Sequence, residues 1–331
     1  PGMTAEALKW RSFFVYKCVP EADEGCWFRI NPVAKTGSGA GGAHTDDDVF
    51  RFDHLLVEFD HVPIGRQLAF FGAAVRYKSP GKMKTVDEFR AALRTIDPAL
   101  DCDARVLGAD GPLGQPSRVA GRTLGNRFAI QPMEGWDSTP EGLPSEHTLR
   151  RWRRFGQSGA KLIWGGEAFA VQEDGRSNPC QLFLNPRADC ERGLAALLET
   201  LGSAHRAAAG TTEDLLVGLQ LTHSGRFSRP SNAGPSPKIA YHHPVFERKY
   251  TAAAAATPLT DGELEAIAQN FVKAARLAQG LGFEFVDVKC CHGYLLHELL
   301  SARTRDGKYG GSFENRTQLF VRIVEGIRVA C

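Results

Sequence analysis

From residue 126 to the end, the chain alternates short runs rich in β-branched and aromatic residues with stretches of helical periodicity. The β-rich runs span residues 126–133, 160–167, 215–223 and 283–291. Helical patterns occupy residues 145–159 and 188–208, a stretch opening at Thr260, and residues 313–329. Such alternation is the signature of successive βα units around a parallel sheet. Ser145 is placed to cap the first helix, with Leu149, Trp152 and Phe155 along one side. Thr260 and Glu263 form a capping box, followed by an apolar face of Leu264, Ile267, Ala268, Phe271 and Ala275 that should stop at Gly280 and Gly282. Ser312 is a good N-cap for the last helix.

Composition sets loose bounds. At 331 residues and 43% hydrophobic content the chain can bury a large core and hold two domains. Forty basic residues against 38 acidic ones leave a net charge of +2, which gives no electrostatic reason to expect nucleic acid or a lipid surface as partner. No apolar run approaches the roughly 18 residues of a membrane helix, and no secretory pattern opens the sequence. The expectation is a cytoplasmic protein. Eight cysteines in a chain this long do not make a disulfide framework, and none forms a Cys-x-x-Cys pair of the kind that holds zinc or an iron–sulfur cluster.

Each strand ends in residues that carry chemistry or permit close approach. The first run is Asn126-Arg127-Phe128-Ala129-Ile130-Gln131-Pro132-Met133, the second ends in Trp164-Gly165-Gly166-Glu167-Ala168, and the third is Gly218-Leu219-Gln220-Leu221-Thr222-His223-Ser224-Gly225-Arg226. A Gln inside a β-rich run must find a polar partner, whereas glycine and alanine at a strand end equally mark ordinary close packing. The fourth run, Val286-Asp287-Val288-Lys289-Cys290-Cys291-His292-Gly293-Tyr294, delivers a Lys, a His and a Tyr where the strand stops. A Gly-rich loop, Tyr309-Gly310-Gly311-Ser312-Phe313-Glu314-Asn315-Arg316, then leads into the last helix.

In this order, and over residues 80–331, these motifs resemble the Old Yellow Enzyme family, FMN-dependent oxidoreductases built on a TIM barrel. The resemblance implies an α/β fold, a (β/α)8 barrel of which about the first four βα units are present, since eight are needed to close it. The sequence therefore reads as a fragment whose open edges should make it poorly soluble and a weak FMN binder. By the same resemblance Pro132, Met133 and Glu134 lie against the flavin, Ala168 lets the backbone approach it, and Gln220 bonds its pyrimidine edge. Lys289 and His292 stand where relatives grip the substrate carbonyl, and Tyr294 where they place a proton donor. NAD(P)H would give hydride to FMN, which passes it to an activated alkene. No Gly-x-Gly-x-x-Gly opens a βα unit, which fits a transiently docking nicotinamide. The 309–316 loop reads as structural.

Two positions depart from the usual pattern: Lys289, and Glu134 where relatives often carry Thr or Cys. Both fall at C-terminal strand ends, and each alone would be a costly charge away from water. They are expected to be coupled, with Glu167 as the competing partner for Lys289.

Residues 1–77 read as an appended segment of α+β character, ahead of the partial barrel at 78–331. Residues 51–63 suggest a strand with Glu58 and Asp60 on one face. With Trp27-Phe28-Arg29-Ile30-Asn31-Pro32 they resemble primase-like domains of mobile elements, where a Glu-x-Asp pair holds metal. A solvated polar face explains the same pattern. The alternative function is thus nucleic-acid processing with a metal at Glu58 and Asp60, or an inactive fragment.

Overall fold

The computed structural model describes residues 80–103, 107–119, 121–249 and 251–331. The segment carrying Glu58 and Asp60, and the boundary expected at residues 77 and 78, lie outside them. The chain divides into two units between Cys102 and Asp103. In the first, helix α1 (Val86–Ile96) starts at Thr85, whose hydroxyl accepts from the Glu88 backbone N–H. Arg90 ties this helix to Asp101 at 2.7 Å.

The second unit runs from Asp103 to Cys331. An antiparallel hairpin, β1 (Ser117–Val119) and β2 (Arg122–Leu124), comes first. Then follow β3 (Ala129–Ile130), α2 (Glu146–Gln157), β4 (Leu162–Ile163), β5 (Ala168–Ala170), α3 (Cys190–Ala209) and β6 (Leu216–Thr222). The short helices α4 (Phe246–Lys249) and α5 (Thr251–Ala254) precede α6 (Asp261–Leu281), β7 (Phe285–Val288), α7 (Leu295–Leu299) and α8 (Phe313–Ala330).

Strands β3, β4, β6 and β7 lie side by side in chain order, all parallel. Strand β5 resumes the course of β4 and pairs with β6 again at Ala168 and Gln220. Between them residues 164–167 bulge, through Gly165 (φ 86°) and Gly166 (φ 42°). A Cβ on Gly165 would lie 2.7 Å from the Gln220 backbone nitrogen, so only glycine fits there. The result is a four-stranded parallel half-barrel.

Side chains alternate across the strands, and this alternation separates two faces. Ile163, Phe169, Val217, Leu219 and Leu221 pack with Trp152, Leu197, Leu201, Leu264, Ile267 and Phe271 in the core beneath the helices. On the other side the Trp164 and Phe285 rings lie 5.0 Å apart, and Gln220 donates to Asp287 at 2.7 Å. That face is the inside of the barrel curve.

The hairpin covers the N-terminal strand ends. Arg122 forms an ion pair with Glu284, whose carboxylate also accepts from the Val217 N–H at 3.0 Å. Nearby, buried Lys161 joins Asp214 (2.7 Å) and His205 Nε2 (3.0 Å). On a barrel this end serves stability, and the C-terminal end serves chemistry.

The helices form where the sequence places them; the expected capping box of Thr260 with Glu263 is made, and Ser145 caps its helix in a second box with Thr148. The expected stop at Gly280 is not one, because that residue is helical and only Gly282, at φ 95°, takes the left-handed cap. The strands are shorter than their β-rich runs. In residues 126–133 the Arg127 N–H goes to Leu113 O and the Phe128 N–H to Asn126 Oδ1, so laddering begins only at Ala129. Helix α1 is not among the expected elements, although Thr85 and the spacing of Val86, Phe89, Leu93 and Ile96 announce it, whereas the hairpin strands and α7 are too short to show a period.

Candidate active site

At the C-terminal ends of β3 and β7 the chain brings together a carboxylate, an ammonium and a phenol. Lys289, 8% exposed, forms an ion pair with Glu134 Oε1, and Tyr294 donates its hydroxyl to Glu134 Oε2 at 2.6 Å. The Lys289 ammonium also sits 4.4 Å from the centre of the Tyr294 ring. A buried ammonium without a partner would be costly, and Glu134 supplies the balancing charge. Burial holds the Tyr294 phenol well above its usual range, reinforced by the Glu134 charge and hydrogen bond, with Ser177 and Ser224 acting weakly in the opposite direction.

The coupling expected between the two unusual positions is thus present in the geometry. Glu167 does not compete for Lys289. The bulge turns it toward α2, where it is fully buried against Arg151 (2.8 Å), Trp152 Nε1 (3.2 Å) and the Gly135 N–H (3.0 Å).

The other residues singled out from sequence lie close by in varied settings. Gln220 is buried on the inner face with Asp287 as its partner. Ala168 is buried, its N–H bonded to Met133 O and its carbonyl to the Gln181 amide. Pro132 is half-buried, and Met133 is 55% exposed. His292 is exposed, on a left-handed backbone at φ 61°, with Nδ1 2.9 Å from Cys291 Sγ. Its ring centre is 6.3 Å from that of Tyr294, and it takes no part in the hydrogen-bonded cluster.

Two features around the site had no sequence signal as pairs. Arg226, just past β6, meets Glu298 of α7 across 72 positions, both almost fully buried. His223, at the end of β6, is completely enclosed and accepts the Gly225 N–H on Nδ1. Asp174 lies 3.9 Å from its other nitrogen, and Lys238 bonds Asp174 at 3.1 Å.

Burial pulls the His223 pKa down from 6.5 to about 4, against the opposing pull of Asp174. The imidazole is therefore neutral when folded and takes a proton more readily when unfolded. Its contribution is fully present above pH 6.5 and is lost as pH falls from 6.5 toward about 4. The expected loss across that window is on the order of 3 kcal/mol. Urea unfolding midpoints at several pH values check this, and His223→Gln should flatten that part of the profile.

A family model described as the NADH:flavin oxidoreductase / NADH oxidase family matches residues 112–331. The chain is 29% identical over 227 residues to an NADPH dehydrogenase of Geobacillus sp. (strain WCH70), covering 65% of this chain and 59% of that protein. It is 34% identical over 214 residues to an NADPH dehydrogenase of Clostridium acetobutylicum, covering 62% and 56%. Among solved structures, Old Yellow Enzyme from Pichia sp. AKU4542 shares the fold with a TM-score of 0.55 at 23% identity, over 67% of this chain and 57% of that one. The chain thus spans a little under three fifths of the length of these relatives. No helix among the described residues is long and apolar enough to cross a membrane. With a match over about two thirds of its residues, and the parallel sheet and strand-end cluster just described, the chain belongs to the NADH:flavin oxidoreductase / NADH oxidase family.

Proposed function

We propose that this chain carries the first half of the barrel of an FMN-dependent oxidoreductase that passes hydride from NAD(P)H to an activated alkene, an α,β-unsaturated carbonyl compound. The observation that carries the reading is the convergence of Lys289, Tyr294 and Glu134 at the C-terminal strand ends of a half-barrel of this family.

The residues present fit a flavin ring. Met133 and Trp136 leave 55% and 64% of their surfaces exposed beside the cluster, apolar area of the kind a bound ring covers. Gly165 brings the backbone of the second strand against that of the third, and Gln220 keeps its amide carbonyl free for a heterocycle edge. Pro132, Met133, Glu134, Ala168 and Gln220 would hold the group, which when bound supplies the hydride chemistry.

The protein's own residues do the rest. Lys289 places positive charge beside a carbonyl oxygen that gains negative charge as hydride arrives at the β-carbon. His292 is the second group of this carbonyl grip in the same reading. Tyr294 stays protonated at neutral pH because burial and Glu134 both oppose its ionisation, the state a general acid for the α-carbon requires. The substrates are small molecules, and the family match gives no support to the nucleic-acid alternative.

The test uses the natural protein. A flavin absorbance spectrum, then NAD(P)H consumption with and without cyclohexenone, should show bound flavin and enone-dependent turnover. Absence of flavin would overturn the cofactor assignment, and bound flavin without enone reduction would overturn the substrate class.

A further inference from the structure

Delivery of a proton from Tyr294 leaves a phenolate, and the next turnover needs that proton replaced. The phenol is only 9% exposed. Its hydroxyl points to Glu134 Oε2 at 2.6 Å, while the Glu134 side chain retains 20% of its surface in solvent. Ser177 and Ser224 also approach the phenol, but Ser224 is fully buried and Ser177 bonds the Gln181 amide oxygen at 3.0 Å. Among the described residues, Glu134 is the ionisable group that joins this hydroxyl to water.

We propose that Glu134 is the proton conduit between solvent and Tyr294. The carboxylate takes a proton from water on its exposed side. Its O–H bond then breaks as the phenol O–H bond forms, returning a carboxylate and a neutral tyrosine. Over a full cycle one hydride comes from NAD(P)H and one proton enters through Glu134, so the saturated product is balanced. Lys289 holds the other carboxylate oxygen and keeps Glu134 aimed at the phenol during the exchange. Cys291, whose thiol is pushed up by burial and by the Asp287 and Glu134 charges against the opposing Lys289 ammonium, is a further titratable group near this carboxylate. Glu134 is on this account a positioning and relay residue for Tyr294.

Use of the conduit in turnover rests on the role proposed for Tyr294, but the path itself can be measured without flavin or substrate. In protein labelled with carbon-13 at the tyrosine Cζ position, the deuterium isotope shift in mixed water reports how fast the Tyr294 hydroxyl exchanges. Glu134→Gln keeps an amide oxygen to accept the hydrogen bond and removes only the ionisable group. Exchange should slow at least about tenfold in this variant, and Glu134→Asp should restore it to within about threefold, the scale expected for assisted proton transfer. Unchanged exchange in Glu134→Gln would overturn the proposal and assign the path to Ser177 or Ser224. Should that variant fail to fold because Lys289 is left unpaired, Glu134→Gln with Lys289→Met removes both charges and is read the same way. With substrate, Glu134→Gln should slow repeated turnover by a larger factor than it slows the first turnover. If the unsubstituted protein reduces no alkene, the functional reading fails while the exchange rates still decide the conduit.

Discussion

Tyr294→Phe is expected to slow alkene reduction by about 10²- to 10⁴-fold, the usual worth of a positioned general acid. The same variant should bind flavin normally and should accept hydride from NAD(P)H at close to the original rate, since that half-reaction needs no proton from the phenol. The ring stays where Phe227 packs against it, 6.1 Å centre to centre, so the change removes a hydroxyl and little else. Rapid-mixing measurement of the two half-reactions separates the outcomes. Equal losses in both would make Tyr294 a structural residue and leave the proton source unassigned.

The largest stability effect is expected at the Arg226 and Glu298 pair. Arg226 donates through Nε to Glu298 at 2.9 Å and through Nη2 to the Tyr241 carbonyl, while Glu247 lies 3.7 Å from Nη1. Burial pushes the Glu298 carboxyl up to about 7, with Arg226 opposing. The two partners should therefore respond unequally to loss of the other. Glu298→Leu strands a guanidinium that cannot shed its proton, and should cost about 3–5 kcal/mol. Arg226→Met leaves a carboxyl that can take up a proton, so about 1–3 kcal/mol is expected. Because Glu298 binds its proton more tightly folded than unfolded, the Arg226→Met variant should regain stability as pH is lowered through 7. Urea denaturation at two pH values tests both the order and the trend.

Much of this was legible from residue order alone. The four βα units could be read because helix caps and apolar faces repeat with their own period, and Ser145, Thr260 and Ser312 cap as the local pattern requires. The meeting of Glu134 with Lys289 was legible for a different reason, since both fall where a parallel strand ends. Strand limits were not, because β-rich composition persists through residues such as Phe128 whose N–H groups bond within their own loop. The hairpin at Ser117–Leu124 has strands of three residues, too short to show alternation. Arg226 with Glu298 and His223 with Asp174 are products of tertiary closure, and the sequence carries no spacing that announces them.

The interruption between β4 and β5 has a consequence for how the second strand can vary. Ile163 stands opposite Val217, and Ala168 opposite Gln220, so five steps on one strand match three on the other. The surplus is two residues, an even number. Side-chain direction reverses at each step, so an even surplus leaves the rhythm of the strand intact: Phe169 still meets the helices and Ala168 still lines the inside. Loss or gain of a single residue in 164–167 would invert that rhythm, driving the Phe169 ring inward and the small Ala168 outward. Length at this point is therefore quantised in pairs, and a change of two is the smallest the half-barrel can absorb without exchanging its inner and outer surfaces.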